Sequence, residues 1–156
     1  QKRFAEAFTA LDAGLALRQK LAEAGPTNTE YTNHLGFSHA YRGWALVRSG
    51  QPSQAAADLR RAVELWAKDP ATNTETRFER SRALALLAGL GAKAKAGVTT
   101  AEATMFADQA VASLRDAESA GWGDPTELKE PDFDALRGRD DFQKLFAKLQ
   151  VKAAKQ

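Results

Sequence analysis

The chain has 156 residues, enough for one domain or a short repeat array, and no apolar run approaches the ~18–20 residues that cross a bilayer, so we expect no membrane insertion. Its formal net charge of +2 lacks the basic excess of nucleic-acid-binding proteins, so we expect no nucleic-acid partner. Cysteine is absent, which excludes disulfides and thiolate chemistry and favours a reducing, cytoplasmic location.

Alanine, leucine and long polar residues dominate, and no stretch alternates as a strand does, so the composition predicts an all-α chain. Apolar spacing predicts helices over residues 2–24, 29–49, 52–68, 73–96 and 100–120, then a loop and a short terminal helix. Breaks fall at Gly25-Pro26, Gly50-Gln51-Pro52, Asp69-Pro70 and Gly97. Because the loops are short, neighbouring helices should be antiparallel.

Two Thr-Asn-Thr-Glu segments, at residues 27–30 and 72–75, each follow a proline and should cap the next helix. We expect residues 1–121 to form helical repeats and residues 122–156 to form a loop and a capping helix of the same domain. The chain opens without a methionine and inside a helical pattern, which predicts that it is part of a longer polypeptide.

Apolar positions also repeat over longer distances. The segment 57–62 recurs in similar form at 112–117. Four residues of the first predicted helix precede their counterparts in the third helix by forty-eight residues: Ala7, Leu11, Gly14 and Leu15 match Ala55, Leu59, Ala62 and Val63. Such periods indicate a repeat architecture.

One predicted helical pair carries small residues at Gly43, Gly50, Ala55 and Ala62 and a large residue at Leu59. In this spacing the pair resembles a tetratricopeptide (TPR) repeat, in which small residues let two helices approach and a large residue fills the gap. Three features depart from the family pattern: Arg42 stands where an aromatic or large residue is expected, Pro70 arrives three residues late, and the units are longer than ~34 residues. The resemblance implies a right-handed α–α solenoid of helical hairpins with a short C-terminal capping helix.

A second resemblance rests on the segments 77–91, 107–115, 120–122, 128–137 and 141–145. Through these segments, residues 76–146 resemble the C-terminal repeat arrays of large bacterial eukaryotic-like Ser/Thr protein kinases. Glu130 and Ala135 replace an Asp and a Pro of the usual closing motif. The catalytic motifs of a kinase are absent from this chain, so any phosphoryl transfer would belong to another part of the polypeptide.

TPR arrays bind peptides along the groove lined by the first helix of each pair. The resemblance therefore implies a scaffold or recruitment module that binds a protein or peptide partner. By that register, the groove would be lined by Phe37, Ala40, Tyr41, Trp44, Val47, Arg48, Arg82 and Lys93. The cations among them favour an acidic or carboxylate-ended partner. Two alternatives remain open: a spacer or self-association element with no separate ligand, and a small-molecule site between helices.

The remaining chemistry-bearing residues predict no enzyme, metal site or cofactor. His34 and His39 are five residues apart and do not share a helix face as a metal-binding pair would. No nucleophile, base or phosphate-binding loop is assembled. In the acidic segment near the C-terminus, Asp132 and Asp140 are expected to cap short helices and to pair with Arg137 or Arg139.

The large aromatic residues are expected mostly in the core. Trp66, Phe106 and Phe142 lie on apolar helix stripes. Phe133 and Leu136 are expected to cover the hydrophobic end of the array.

Overall fold

The computed structural model describes residues 2–67 and 73–154, and every regular element in that part of the chain is helical. The all-α prediction is therefore confirmed for the described residues. Six α-helices and two short 3₁₀ helices follow one another: α1 Lys2–Ala24, α2 Thr29–Arg48, α3 Pro52–Trp66, α4 Thr74–Leu90, α5 Thr100–Ser119, the 3₁₀ helices Glu127–Lys129 and Pro131–Leu136, and α6 Asp140–Ala153. None of these helices is long and apolar enough to span a membrane.

The predicted helix bounds agree with these elements except after α4. That helix was predicted to reach residue 96 but ends at Leu90, and residues 91–97 form turns. The predicted break at Asp69-Pro70 lies outside the described residues. Asn28 caps α2 by accepting a hydrogen bond from the Glu30 amide, and Asn73 caps α4 by accepting one from the Thr76 amide. The two predicted caps are thus confirmed at their asparagines.

The chain divides into two compact units. The first contains α1, α2 and α3 together with the segment Lys93–Gly97, and the second contains α4, α5, α6 and both 3₁₀ helices. Each unit is described separately below.

The first unit is built around the α2–α3 hairpin, whose close approach depends on two glycines. A Cβ atom at Gly43 would lie 2.8 Å from Leu59 Cγ, and a Cβ atom at Gly36 would overlap the Trp66 indole. Leu59 and Trp66 are 0% and 1% exposed, respectively. The expected contact between a small residue of α2 and a large residue of α3 is therefore present.

In the second unit, α4 packs against α5. Aromatic side chains that follow α5 in the chain pack on Phe78 of α4. The Trp122 ring stacks on Phe78 with 4.3 Å between centroids, and Phe133 lies 5.9 Å from Phe78. Phe133 and Leu136 are fully buried, and the second 3₁₀ helix that carries them packs on α4. The core residues Trp66 in the first unit, and Phe106 and Phe142 in the second, are buried as predicted.

The expected roles of the acidic residues near the C-terminus were wrong in detail. Neither Asp132 nor Asp140 provides a side-chain cap, because the residues before these helices are Glu130 and Arg139. Asp132 is instead buried inside the second 3₁₀ helix. Arg137 pairs with Asp134 at 2.6 Å, whereas Arg139 pairs with Asp141 at 2.9 Å and with Asp108 at 2.7 Å. Neither arginine pairs with the predicted partner.

A candidate binding surface on α2

Four residues spaced along α2 form the stripe that we call the α2 surface: Phe37, Tyr41, Trp44 and Arg48. Their spacing of four, three and four residues places them on one face of the helix. Tyr41 is 39% exposed, Arg48 is exposed, and Phe37 and Trp44 are half-buried. Of the other two α2 residues that were expected to line the groove, Ala40 is buried and Val47 is half-buried.

One end of the α2 surface is anchored in the core of the first unit. The Phe37 ring meets the buried Trp66 ring edge to face at a centroid distance of 5.3 Å, and it also contacts Tyr41 at 6.1 Å. The Trp66 indole N–H donates to the Asn33 carbonyl at 3.3 Å. The buried Trp66 side chain thus supports Phe37, which in turn contacts Tyr41.

The other end of the α2 surface joins a cation to an aromatic ring. The Arg48 guanidinium carbon lies over the Trp44 ring, 3.7 Å from its centroid. Such a cation–π contact contributes about 0.5–1 kcal/mol at an exposed site, and it orders a long side chain that would otherwise sample many rotamers. Arg48 is therefore held next to Trp44 before any ligand arrives.

An ion network on another face of α2 ties the three helices of the first unit together. Asp58 of α3 accepts from Arg42 Nε at 2.6 Å and pairs with His39 Nδ1 at 2.9 Å, and Arg42 also donates to Asp12 of α1 at 2.8 Å. Burial opposes ionisation of Asp58, but the hydrogen bonds from His39 and Arg42 exceed that effect and lower its pKa below the usual value of 3.8. The network fixes the orientation of α2, and we had not predicted it from the sequence.

Arg82, expected as a groove cation, lies in the second unit and is engaged by carboxylates. Its guanidinium pairs with Glu79 at 2.8 Å and Glu127 at 2.9 Å, with Asp132 at 3.6 Å, and it stands over the Phe78 ring. Burial raises the pKa of Glu79 above its usual value. These contacts connect α4 to both 3₁₀ helices, which gives Arg82 a structural role.

Lys93 lies in the turn segment after α4 rather than on a helix, and it is exposed. The segment Lys93–Gly97 belongs to the first unit, where Arg60 of α3 donates to the Gly97 carbonyl at 2.9 Å. The structure therefore brings together the four residues of the α2 surface, while Arg82 and Lys93 belong to other elements. Within the described residues, no three metal-binding side chains converge on one point.

The comparisons with known proteins supply no relatives: no protein-family model, no curated protein and no solved structure matches this chain.

Proposed function

We propose that the first unit is a protein-interaction module that binds an extended or helical segment of another protein along the α2 surface. The observation that carries the proposal is the Arg48 guanidinium stacked on the half-buried Trp44 ring. Aromatic residues and arginine are the types that dominate the energetics of protein interfaces. Side chains ordered before binding lose less entropy when the partner arrives, which favours affinity.

The charge of the α2 surface favours an acidic or carboxylate-ended partner. Arg48 contributes a positive charge to the surface, while Tyr41 and Trp44 supply apolar contact area. Arg82 is already paired with Glu79 and Glu127, so we do not include it among the residues that bind the partner. Lys93 is exposed but lies outside the stripe, so it plays no necessary part in the proposed contact.

The resemblance of the sequence to TPR arrays supports a proposal for the whole chain. We propose that the α2–α3 and α4–α5 hairpins are TPR-like units of a right-handed solenoid in the C-terminal part of a cytoplasmic bacterial signalling protein such as a Ser/Thr kinase. There the module would recruit substrates or regulators and would itself catalyse nothing. The close contacts of Gly36 and Gly43 with α3 support the TPR-like packing of the first hairpin.

The test compares two double variants of the purified chain, each immobilised and exposed to lysate. Trp44→Ala/Arg48→Glu removes the stacked pair. Met105→Ala/Arg115→Glu replaces an apolar residue and an arginine by the same two residues at exposed positions of α5, and so serves as the control. Circular dichroism establishes first that both variants keep their helices. We expect the wild type and the control to retain a common protein that the Trp44/Arg48 variant loses.

The captured protein then provides the peptides for a direct titration. We expect its acidic segments to bind the wild type and to bind more weakly as salt is raised, because exposed ion pairs are screened. Replacing the acidic residues of the peptide should weaken binding about tenfold or more, which corresponds to about 1.4 kcal/mol. If both double variants retain the same set of proteins, the α2 surface is not the binding site.

A further inference from the structure

A cluster of charged side chains joins α4 to the two 3₁₀ helices of the second unit. Glu79 and Arg82 lie on α4, Glu127 lies on the first 3₁₀ helix and Asp132 lies on the second. The Arg82 guanidinium pairs with Glu79 at 2.8 Å and with Glu127 at 2.9 Å, and its Nε lies 3.6 Å from an Asp132 oxygen. One guanidinium is therefore within ion-pair distance of three carboxylates from three elements.

This cluster is largely shielded from water. The side chains of Asp132, Glu79 and Arg82 are 5%, 12% and 18% exposed, and Glu127 is the most open of the four at 40%. Water therefore screens the repulsion among the carboxylates only weakly. When all four groups are ionised, the three carboxylates outnumber the single cation. Carboxylates that share such a site disfavour one another's ionisation, so the arrangement favours a bound proton.

Glu79 is placed to hold that proton. Burial raises the pKa of Glu79 above its usual value of 4.5, and the negative charges of Glu127, Glu75 and Asp132 raise it further, against the opposing effect of Arg82. These charges come from α4 itself and from both 3₁₀ helices. The geometry of the cluster and the direction of this pKa thus agree.

Helix α5 also packs on α4, and its contact two residues before Glu79 involves no charge: the Ser113 hydroxyl donates to the Arg77 carbonyl at 3.1 Å. The balance of charge at Glu79 is therefore set mainly by the segment that carries the two 3₁₀ helices.

The same segment contributes to the apolar core of the second unit. Leu128, Phe133 and Leu136 are buried, and the Phe133 ring lies 5.9 Å from Phe78 of α4. Repulsion between Glu79 and the carboxylates of the segment opposes this packing. We propose that the cluster takes up one proton in mildly acid solution and that this proton strengthens the attachment of the 3₁₀ helices to α4. The proposed proton site lies in the second unit and does not depend on binding at the α2 surface.

The direction of the effect on stability follows from the raised pKa of Glu79. Its protonated form stabilises the second unit fully below pH 4.5, and this stabilisation is lost as the pH rises through the higher pKa of the folded protein. Asp58 and Asp141, whose pKa values are lowered from 3.8, lose their stabilising charge only at lower pH. The range from pH 4.5 to pH 7 therefore separates Glu79 from these carboxylates.

Urea unfolding at pH 7 and at pH 4.5 tests the proposal with wild type, Glu79→Gln and the control Asp116→Asn, which removes an exposed carboxylate of α5. The indole N–H resonance of Trp122 reports the second unit alone, since Trp44 and Trp66 belong to the first. We expect the wild type to gain stability relative to Glu79→Gln as the pH falls, and Asp116→Asn to follow the wild type. A difference between wild type and Glu79→Gln that does not change with pH overturns the proposal, as does an equal change in the control.

Carboxyl ¹³C resonances of labelled glutamate follow the proton directly, and the Glu79 signal is identified by its loss in Glu79→Gln. We expect this signal to titrate at higher pH than those of exposed glutamates. Glu127→Gln should lower its midpoint, because it removes one of the charges that raise the pKa of Glu79. Glu130→Gln makes the same change at an exposed neighbour and should not. A Glu79 signal that titrates with the exposed glutamates, or that responds equally to the two substitutions, overturns the proposal.

Discussion

Replacing Gly43 by alanine tests whether the α2–α3 hairpin is held as tightly as its geometry indicates. A Cβ atom at this position would lie 2.8 Å from Leu59 Cγ, 2.9 Å from Leu59 Cδ2 and 3.3 Å from the Leu59 amide nitrogen. Carbon atoms in ordinary contact are about 3.5–4.0 Å apart, so α2 or α3 would have to shift by several tenths of an ångström. Leu59 is fully buried and cannot turn outward to relieve the overlap.

The expected magnitude combines two opposing effects. Alanine is favoured over glycine inside a helix by about 1 kcal/mol, whereas overpacking a well-filled core costs about 1–3 kcal/mol. Gly14→Ala in α1 isolates the first effect, because a Cβ atom there meets nothing within 4 Å. We therefore expect Gly14→Ala to raise the free energy of unfolding of the first unit by about 1 kcal/mol and Gly43→Ala to lie about 1–3 kcal/mol below it.

Urea denaturation of dilute protein, followed by tryptophan fluorescence, measures both variants. The first unit contains Trp44 and Trp66, and the second contains Trp122, so a Trp122→Phe background confines the signal to the first unit. If Gly43→Ala stabilises the protein as much as Gly14→Ala does, the two helices are not in the close contact described here.

Three further predictions concern strain and buried charge. Lys95 has a positive φ of 63°, so Lys95→Gly should stabilise the protein by about 0.5–1 kcal/mol in thermal unfolding, whereas the control Lys93→Gly should not. Arg82→Met should destabilise the second unit by about 3 kcal/mol at pH 7 in urea, because it removes the cation that pairs with the largely buried Glu79 carboxylate. The loss should shrink near pH 4.5, since the pKa of Glu79 is raised and its protonation removes the unpaired charge. Asp58→Asn should cost the first unit about 2–3 kcal/mol at pH 7. Because the pKa of Asp58 is lower in the folded protein, its ionised carboxylate stabilises the first unit fully above pH 3.8, and this stabilisation disappears as the pH falls below that value. The stability of the Asp58→Asn variant should therefore depend less on acid pH than that of the wild type.

The helix bounds were predictable because proline, glycine and asparagine mark most of the ends. The end of α4 is the exception. Residues 91–97 are alanine, lysine and glycine, whose local preferences allow α4 to continue to residue 96. Helix α4 instead ends at Leu90, and Gly91, which follows it, packs closely against Ala103 of α5. Lys95 and Gly97 take positive φ values in the turn beyond it. The contact of Gly91 with another helix is a tertiary feature that no local pattern contains.

The candidate surface was predictable to the extent that it depends on one helix. Phe37, Tyr41, Trp44 and Arg48 share a face because of the helical period alone, and the structure places them on one stripe of α2. The role of Arg82 was not predictable in this way. Its partner Glu127 lies forty-five residues away in sequence, beyond the reach of any spacing rule.

Two charged residues at positions that are otherwise apolar indicate an ion pair that we had not predicted. Arg42 stands where the TPR pattern has an aromatic or large residue, and Asp58 lies among the buried residues of α3. A charge that is buried without a partner is costly, so a charged residue in the packed hairpin favours a partner of opposite charge within the fold. The two are sixteen residues apart, on the facing helices of one predicted hairpin, and the structure pairs them at 2.6 Å. Two residues of opposite charge on the facing helices of one hairpin therefore indicate an ion pair between those helices, which neither residue indicates alone.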